Sequence, residues 1–330
     1  MKIKFSTEKI NLVENVVFID GLTRTGKFFL GKLISSFNNM EYFQYQFIMD
    51  YIVYMARLGS ITEDGIISLL RGVIDQSSYD RAIGRNLNLR SGDRSSLKNS
   101  WNLESYLSRA SGDVDRKKIV ENLSRNSYSY PYVTHNNLSN ARILIKAFPK
   151  LKMIHLIRNP IDLVYSWSQK GYGIKKIKNR LDVFKVGLNP SISGRSGPVP
   201  WYAVYIDDNY IKLNQMDRII ISIITLMKLC IKEYNKLNKK QKSRIMFVKY
   251  ESLVENTYEE MDNIGDFLKK TKNDDYKRII NLENCPNVID IKKRLEKDKT
   301  VRSKSTKYYY KMLESYSRNY EKNLIYNTDD

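Results

Sequence analysis

The order of apolar and polar positions divides the chain into short buried strands and amphipathic helices. Residues 16–20 read Val-Val-Phe-Ile-Asp, an apolar run closed by an acid, the pattern of a strand covered on both faces. A turn over residues 21–27 follows. Apolar positions at Phe28, Leu30, Leu33, Ile34 and Phe37 then predict a helix. Residues 40–47 are rich in strand formers and fit either a second strand or a helix start. Residues 48–75 carry a helical pattern broken near Gly59 and Ser60, with Thr62-Glu63-Asp64-Gly65 as the signal that restarts it. Residues 76–114 are polar and irregular, and residues 115–124 and 138–149 predict two further helices. A strand over residues 153–157 delivers Arg158, after which Pro160 opens a helix reaching Gln169. Residues 171–200 read as loop, 217–237 as a long helix, 244–249 as a third strand and 257–270 as a helix. A polar region follows, then a tyrosine-rich helix over 307–324. Short strands alternating with helices predict the α/β class, a central parallel sheet flanked by helices. The chain reads as one domain over 1–330, with 48–137 as a helical and irregular insertion and 299–330 as a basic C-terminal segment with a helix.

Composition narrows the choice of function. The 330 residues, 42% of them hydrophobic, suffice for a sizeable core. The longest apolar stretch, residues 219–231, is interrupted by Ser222, Thr225 and Lys228 and reads as a core helix, so no membrane span is expected. Two cysteines, Cys230 and Cys285, supply neither a disulfide framework nor a metal site, and a cytoplasmic address is the simplest expectation. The net charge of +20 would suit an anionic partner. The lysines are spread over residues 146–311 rather than gathered in one block, which fits a solvated surface better than a nucleic-acid site.

Chemistry concentrates in two stretches. Between the first strand and helix, Gly21-x4-Gly26-Lys27 bounds a loop whose backbone amides, with Arg24 and Lys27, form an anion cradle. It has the glycine and lysine frame of a nucleotide P-loop, but Phe28 stands where a Ser or Thr would hold magnesium. In the second stretch, Ser166 follows Arg158 by eight residues, a little over two helical turns. The hydroxyl and the guanidinium can therefore reach one phosphate.

These motifs together resemble the sulfotransferases that use 3′-phosphoadenosine-5′-phosphosulfate (PAPS), enzymes of a P-loop NTPase-like architecture. Arg24-Thr25-Gly26-Lys27-Phe28-Phe29 occupies the frame of the loop that holds the 5′-phosphosulfate in that family. Arg158-Asn159-Pro160 and Ser166 match its RNP motif, whose Arg and Ser hold the 3′-phosphate. Residues 247–253 and 264–268 are similar to its YEDL…FL unit. Cytosolic members carry a K-T-H segment a little over twenty residues before RNP, and here Val133-Thr134-His135 lies 23 residues before Arg158. The resemblance implies His135 as general base and Lys27 as the cation on the transferring oxygens. A histidine suits that task because its ordinary pKa, about 6.5, leaves the imidazole neutral near neutrality. Other branches use a glutamate after the first helix, which makes Glu41 the reserve base, while His155 reads as a core residue.

Departures accompany the likeness. Lys27 and Phe28 replace a Thr-Thr pair, and the family's C-terminal RKG segment is absent. The basic run 299–304, with Arg302 and Lys304, stands in a comparable place, either closing over the 3′-phosphate or facing solvent. The implied reaction is metal-free, in-line sulfuryl transfer that releases adenosine 3′,5′-bisphosphate. The expected acceptor is a small molecule or a glycan, a carbohydrate hydroxyl first. The Arg-rich residues 81–94 and the loop 194–202, with Trp201 and Tyr202, are candidate acceptor contacts. A P-loop kinase and a nucleic-acid-binding module are the second and third readings.

Overall fold

The computed structural model describes residues 4–6, 11–112, 115–124, 128–173, 191–194, 197–206 and 208–322. In chain order the first elements are β1 (Val16–Gly21), α1 (Lys27–Ile34), β2 (Gln44–Tyr45), α2 (Phe47–Arg57), α3 (Glu63–Ala82), α4 (Leu103–Ser111) and α5 (Arg116–Ser124). Next come β3 (Tyr130–Val133), α6 (Ala141–Ala147), β4 (Lys152–Ile157), α7 (Pro160–Gln169), β5 (Ser191–Gly194), β6 (Gly197–Pro200) and α8 (Gln215–Asn235). The chain continues with α9 (Lys239–Lys242), β7 (Ile245–Lys249), α10 (Tyr250–Glu255), α11 (Thr257–Leu268), α12 (Tyr276–Leu282), α13 (Ile291–Lys304) and α14 (Lys307–Glu321). Two compact units result. One comprises Met1–Gly21, Gly26–Leu156 and Leu237–Val288, the other Leu22–Thr25, Ile157–Lys236 and Ile289–Asp330.

The first unit holds the five-stranded parallel sheet, in the order β2-β3-β1-β4-β7. All six residues of β1 are buried, as its unbroken apolar run requires of a strand with neighbours on both sides. β3, absent from the sequence-based expectation, lies between β2 and β1 and is buried throughout. It falls inside residues 48–137, so that span contributes a central strand as well as helices. Proline is unusual in such a position, and the ladder explains how Pro131 fits. The amides of Tyr130 and Thr134 donate toward the β1 side, to Asn15 and Ile19. Proline therefore takes an alternate position, whose missing N–H would have pointed the other way. There β2 pairs only with Tyr132 and Val133.

Helix starts follow their capping residues. Thr62 Oγ1 accepts from the Gly65 amide at the start of α3, and Pro160 opens α7 behind Asn159, whose Oδ1 accepts from the Ile161 amide at 2.9 Å. The second unit is built from α7, α8, α13 and α14 with the antiparallel β5–β6 ribbon. In it Asp162 of α7 takes Arg294 Nε at 3.1 Å and Lys297 Nζ at 2.6 Å from α13. α4, α12 and α13 form where only polar sequence was read, and β5–β6 lies in the stretch read as loop. Residues 174–190 of that stretch, and the end of the expected helix beyond 322, lie outside the described residues. Among the described residues, no helix is long and apolar enough to cross a membrane.

Candidate active site

In the second unit, residues 22–25 of the loop are fastened by three side chains from the β4–α7 segment. Arg158 Nη1 donates to the Arg24 carbonyl at 3.0 Å, and Trp167 Nε1 donates to the Thr23 carbonyl at 2.9 Å. Arg24 Nε in turn donates to Ser166 Oγ at 3.1 Å. Within the loop, Thr25 Oγ1 closes a turn on the Leu22 carbonyl. Arg24 holds a left-handed backbone, φ 75°, which costs a non-glycine residue about 1–3 kcal/mol. Three hydrogen bonds at about 0.5–1.5 kcal/mol each offset that strain. The sequence reading placed Arg24 with Lys27 and apart from Arg158 and Ser166. The structure brings two guanidiniums and one hydroxyl into a single cluster around Arg24.

The first unit supplies the other half of the loop. Gly26 has φ 100°, and a Cβ there would lie 2.5 Å from Cδ2 of the Tyr250 ring, so only glycine fits at the head of α1. Lys27 is buried and its Nζ donates to the Gly21 carbonyl at 2.7 Å, so its ammonium stays under the loop. Phe28 packs edge-on against Phe43 and Tyr45. Both Phe28 and Phe29 line a cavity of about 410 Å³ together with Tyr250, Lys32 and Arg94.

The first unit also holds two aspartate–histidine pairs. Asp20, at the end of β1, is fully buried and accepts Thr134 Oγ1 (3.0 Å), the amides of Asn137 and Leu138 (2.9 Å each) and His155 Nδ1 (2.8 Å). Burial pushes its carboxyl up. The His155 bond and charge, then Lys27 and the Asn137 amide, outweigh this and hold it well below the usual carboxylate range. The core position expected for His155 is thus joined to a specific partner. His135 follows β3 and lies Nδ1-first against Asp50 Oδ2 at 2.8 Å, with its own amide on Asp50 Oδ1 at 2.9 Å. Burial and the charge of Lys27 lower its pKa below 6.5, against the opposing pull of Asp50, so the ring is neutral at physiological pH.

Other expected site residues have different surroundings. Glu41, the reserve base of the sequence reading, is buried, with Arg109 at 3.0 Å and the Tyr106 hydroxyl donating to it at 2.8 Å. Arg302 and Lys304 are exposed in the last turn of α13, where Arg302 lies over the Tyr310 ring. The run 299–304 forms the last part of α13. Trp201 and Tyr202 are buried and Tyr202 packs on Trp167 and Tyr172, so these rings form a packing cluster instead of a sugar platform. Asp50 was missed because its contact with His135 spans 85 residues, whereas Phe28, Phe29 and Tyr250 of the cavity wall lay in the quoted motifs and only their convergence on one cavity was not legible.

The family model described as "Sulfotransferase domain" matches residues 14–320. No curated protein sequence matches the chain. Among solved structures, the sulfotransferase domain from the curacin biosynthetic pathway is 12% identical, over 80% of this chain and 77% of that one, at a TM-score of 0.43. The sulfotransferase domain of the Synechococcus PCC 7002 olefin synthase is 14% identical, over 87% and 82%, at 0.42. Retinol dehydratase in complex with retinol and PAP is 13% identical, over 96% and 83%, at 0.32.

Proposed function

We propose that this chain, which belongs to the sulfotransferase family, transfers the sulfuryl group of PAPS to an acceptor hydroxyl, with His135 as the proton acceptor. The observation that carries the reading is the cluster in which Arg24, Arg158 and Ser166 meet. One guanidinium bonded to the Ser166 hydroxyl, with a second on the carbonyl of the same arginine, forms a concentrated positive site, and planar guanidinium forks suit phosphate oxygens. The residues present also fit the rest of the donor. The Gly26 cradle brings backbone up to the Tyr250 ring, and Phe29 and Tyr250 give the cavity of the first unit aromatic faces suited to a nucleobase.

When bound, the donor supplies a sulfuryl group on a phosphate leaving group: the acceptor oxygen gains sulfur, the donor's bridging oxygen keeps the electron pair, and the acceptor's proton goes to a base. The chain meets these demands with fixed groups. Neutral His135 can take a proton, and Lys27 places a buried charge under the loop that also disfavours a protonated resting ring. Carbohydrate hydroxyls are the acceptor class to test first. The kinase reading is weaker because Phe28, packed among rings, offers no hydroxyl to a metal.

Transfer of radiolabel from ³⁵S-PAPS to a panel of glycans and small alcohols tests the proposal. Wild type should label at least one acceptor, and His135→Gln should lower its kcat by about 10²–10⁴-fold. Phosphoryl transfer from Mg-ATP to the same panel, with no transfer from PAPS, would overturn it.

A further inference from the structure

Asp50 lies in α2, buried, 85 residues before His135, and no spacing in the sequence links them. Its two oxygens are divided between partners. Oδ1 accepts the His135 amide at 2.9 Å and Asn137 Nδ2 at 3.2 Å, while Oδ2 faces His135 Nδ1 at 2.8 Å. A carboxylate can only accept, so the ring nitrogen that faces it carries the hydrogen and the lone pair is left on Nε2. The backbone bond and the ring bond close on the same carboxylate, which fixes the ring's rotation as well as its tautomer.

We propose that Asp50 is the positioning residue of the proton-accepting histidine, holding His135 as the Nδ1–H tautomer so that Nε2 is the atom that takes the acceptor's proton. The inference rests on the proposed function for its kinetic part, but the tautomer it assigns is independent of activity. Once Nε2 is protonated, the ring is a cation beside Lys27, in a buried place. Asp50 and the more distant Asp20 are the charges that oppose that cost. The proton comes from the acceptor O–H and leaves to solvent after transfer. Asn137 strengthens the frame, since its amide nitrogen holds Asp20 while its side chain holds Asp50. The second pair, Asp20–His155, repeats the same Nδ1-to-carboxylate contact at 2.8 Å and serves as an internal control.

The chain has two histidines, so ¹⁵N-histidine labelling of the full protein gives a simple spectrum that His135→Gln assigns. At about pH 8 His135 should show a protonated Nδ1 and a bare Nε2, and His155, whose Nδ1 also faces a carboxylate, should show a protonated Nδ1. In Asp50→Asn the carboxamide can present N–H₂ to the ring. His135 should then shift toward the Nε2–H form while His155 keeps its signals. In the transfer assay kcat should fall by about 10²–10⁴-fold with KM for PAPS within about threefold, the upper end being the size of effect a wrong tautomer produces in a hydrolase triad. Asp50→Glu, which keeps a carboxylate, should retain the Nδ1–H signature and recover part of kcat. An unchanged His135 tautomer in Asp50→Asn, or kcat within about threefold of wild type while His135→Gln is inactive, would overturn the assignment. Wild-type turnover by His135→Gln would instead remove the base itself, a failure that leaves the tautomer signals as described.

Discussion

Two imidazoles, His135 and His155, each present Nδ1 to a buried aspartate, and at His135 burial and the charge of Lys27 oppose protonation. That opposition makes stability depend on pH with a definite sign. The folded pKa of His135 lies below its ordinary 6.5, so the unfolded chain binds more protons in the window between the two. The contribution is fully present above 6.5 and is lost as pH falls from 6.5 through the folded value, by at most about 1.4 kcal/mol per pH unit. Urea unfolding of wild type and His135→Gln at about pH 5 and about pH 7.5 measures it. Wild type should lose more stability than the variant on acidification, and equal losses would contradict the assigned environment. At this scale the sequence disclosed residue types and spacings. Thr134-His135, Arg158 and Ser166 stood out because each has a motif neighbour within a few residues. Asp50 did not, because its partner is supplied by β3, a strand of four residues containing a proline.

Among the elements, those with long apolar runs and fixed spacings were legible: β1 with its loop and α1, β4 with α7, and β7. α13 was not, because Val301 is its one buried residue and little apolar periodicity marks it. Its N-terminus is capped by Asp290, whose Oδ1 accepts the Lys293 amide, and charge then ties it to α7. Asp162 is almost fully buried while Arg294 and Lys297 are about a quarter exposed, a geometry worth more than a surface pair. Asp162→Ala should therefore cost about 1–3 kcal/mol and speed amide exchange in α13 ahead of α14. Unchanged exchange in α13 would show that the clamp does not hold the helix. The charge of Asp162 is used by α13, and Arg158 braces the Arg24 carbonyl.

For the whole molecule, the loop between β1 and α1 is shared by chain continuity. Gly21, Gly26 and Lys27 belong to one compact unit, and Leu22–Thr25 to the other. The family match over residues 14–320 likewise draws on both. Each unit carries a part that the proposed reaction needs, the histidine pair and aromatic cavity in one and the guanidinium cluster in the other. The excess of 56 basic over 36 acidic residues gathers anions in general, so affinity for a charged nucleotide alone would not identify the site. The decisive measurement is thermal unfolding with adenosine 3′,5′-bisphosphate, in wild type and in Arg158→Ala and Ser166→Ala. At a ligand concentration about 100 times Kd, wild type should gain about 2.7 kcal/mol, and both variants should lose most of that gain at the same concentration. No gain in wild type, or an equal gain in all three proteins, would contradict a donor site built on Arg24, Arg158 and Ser166.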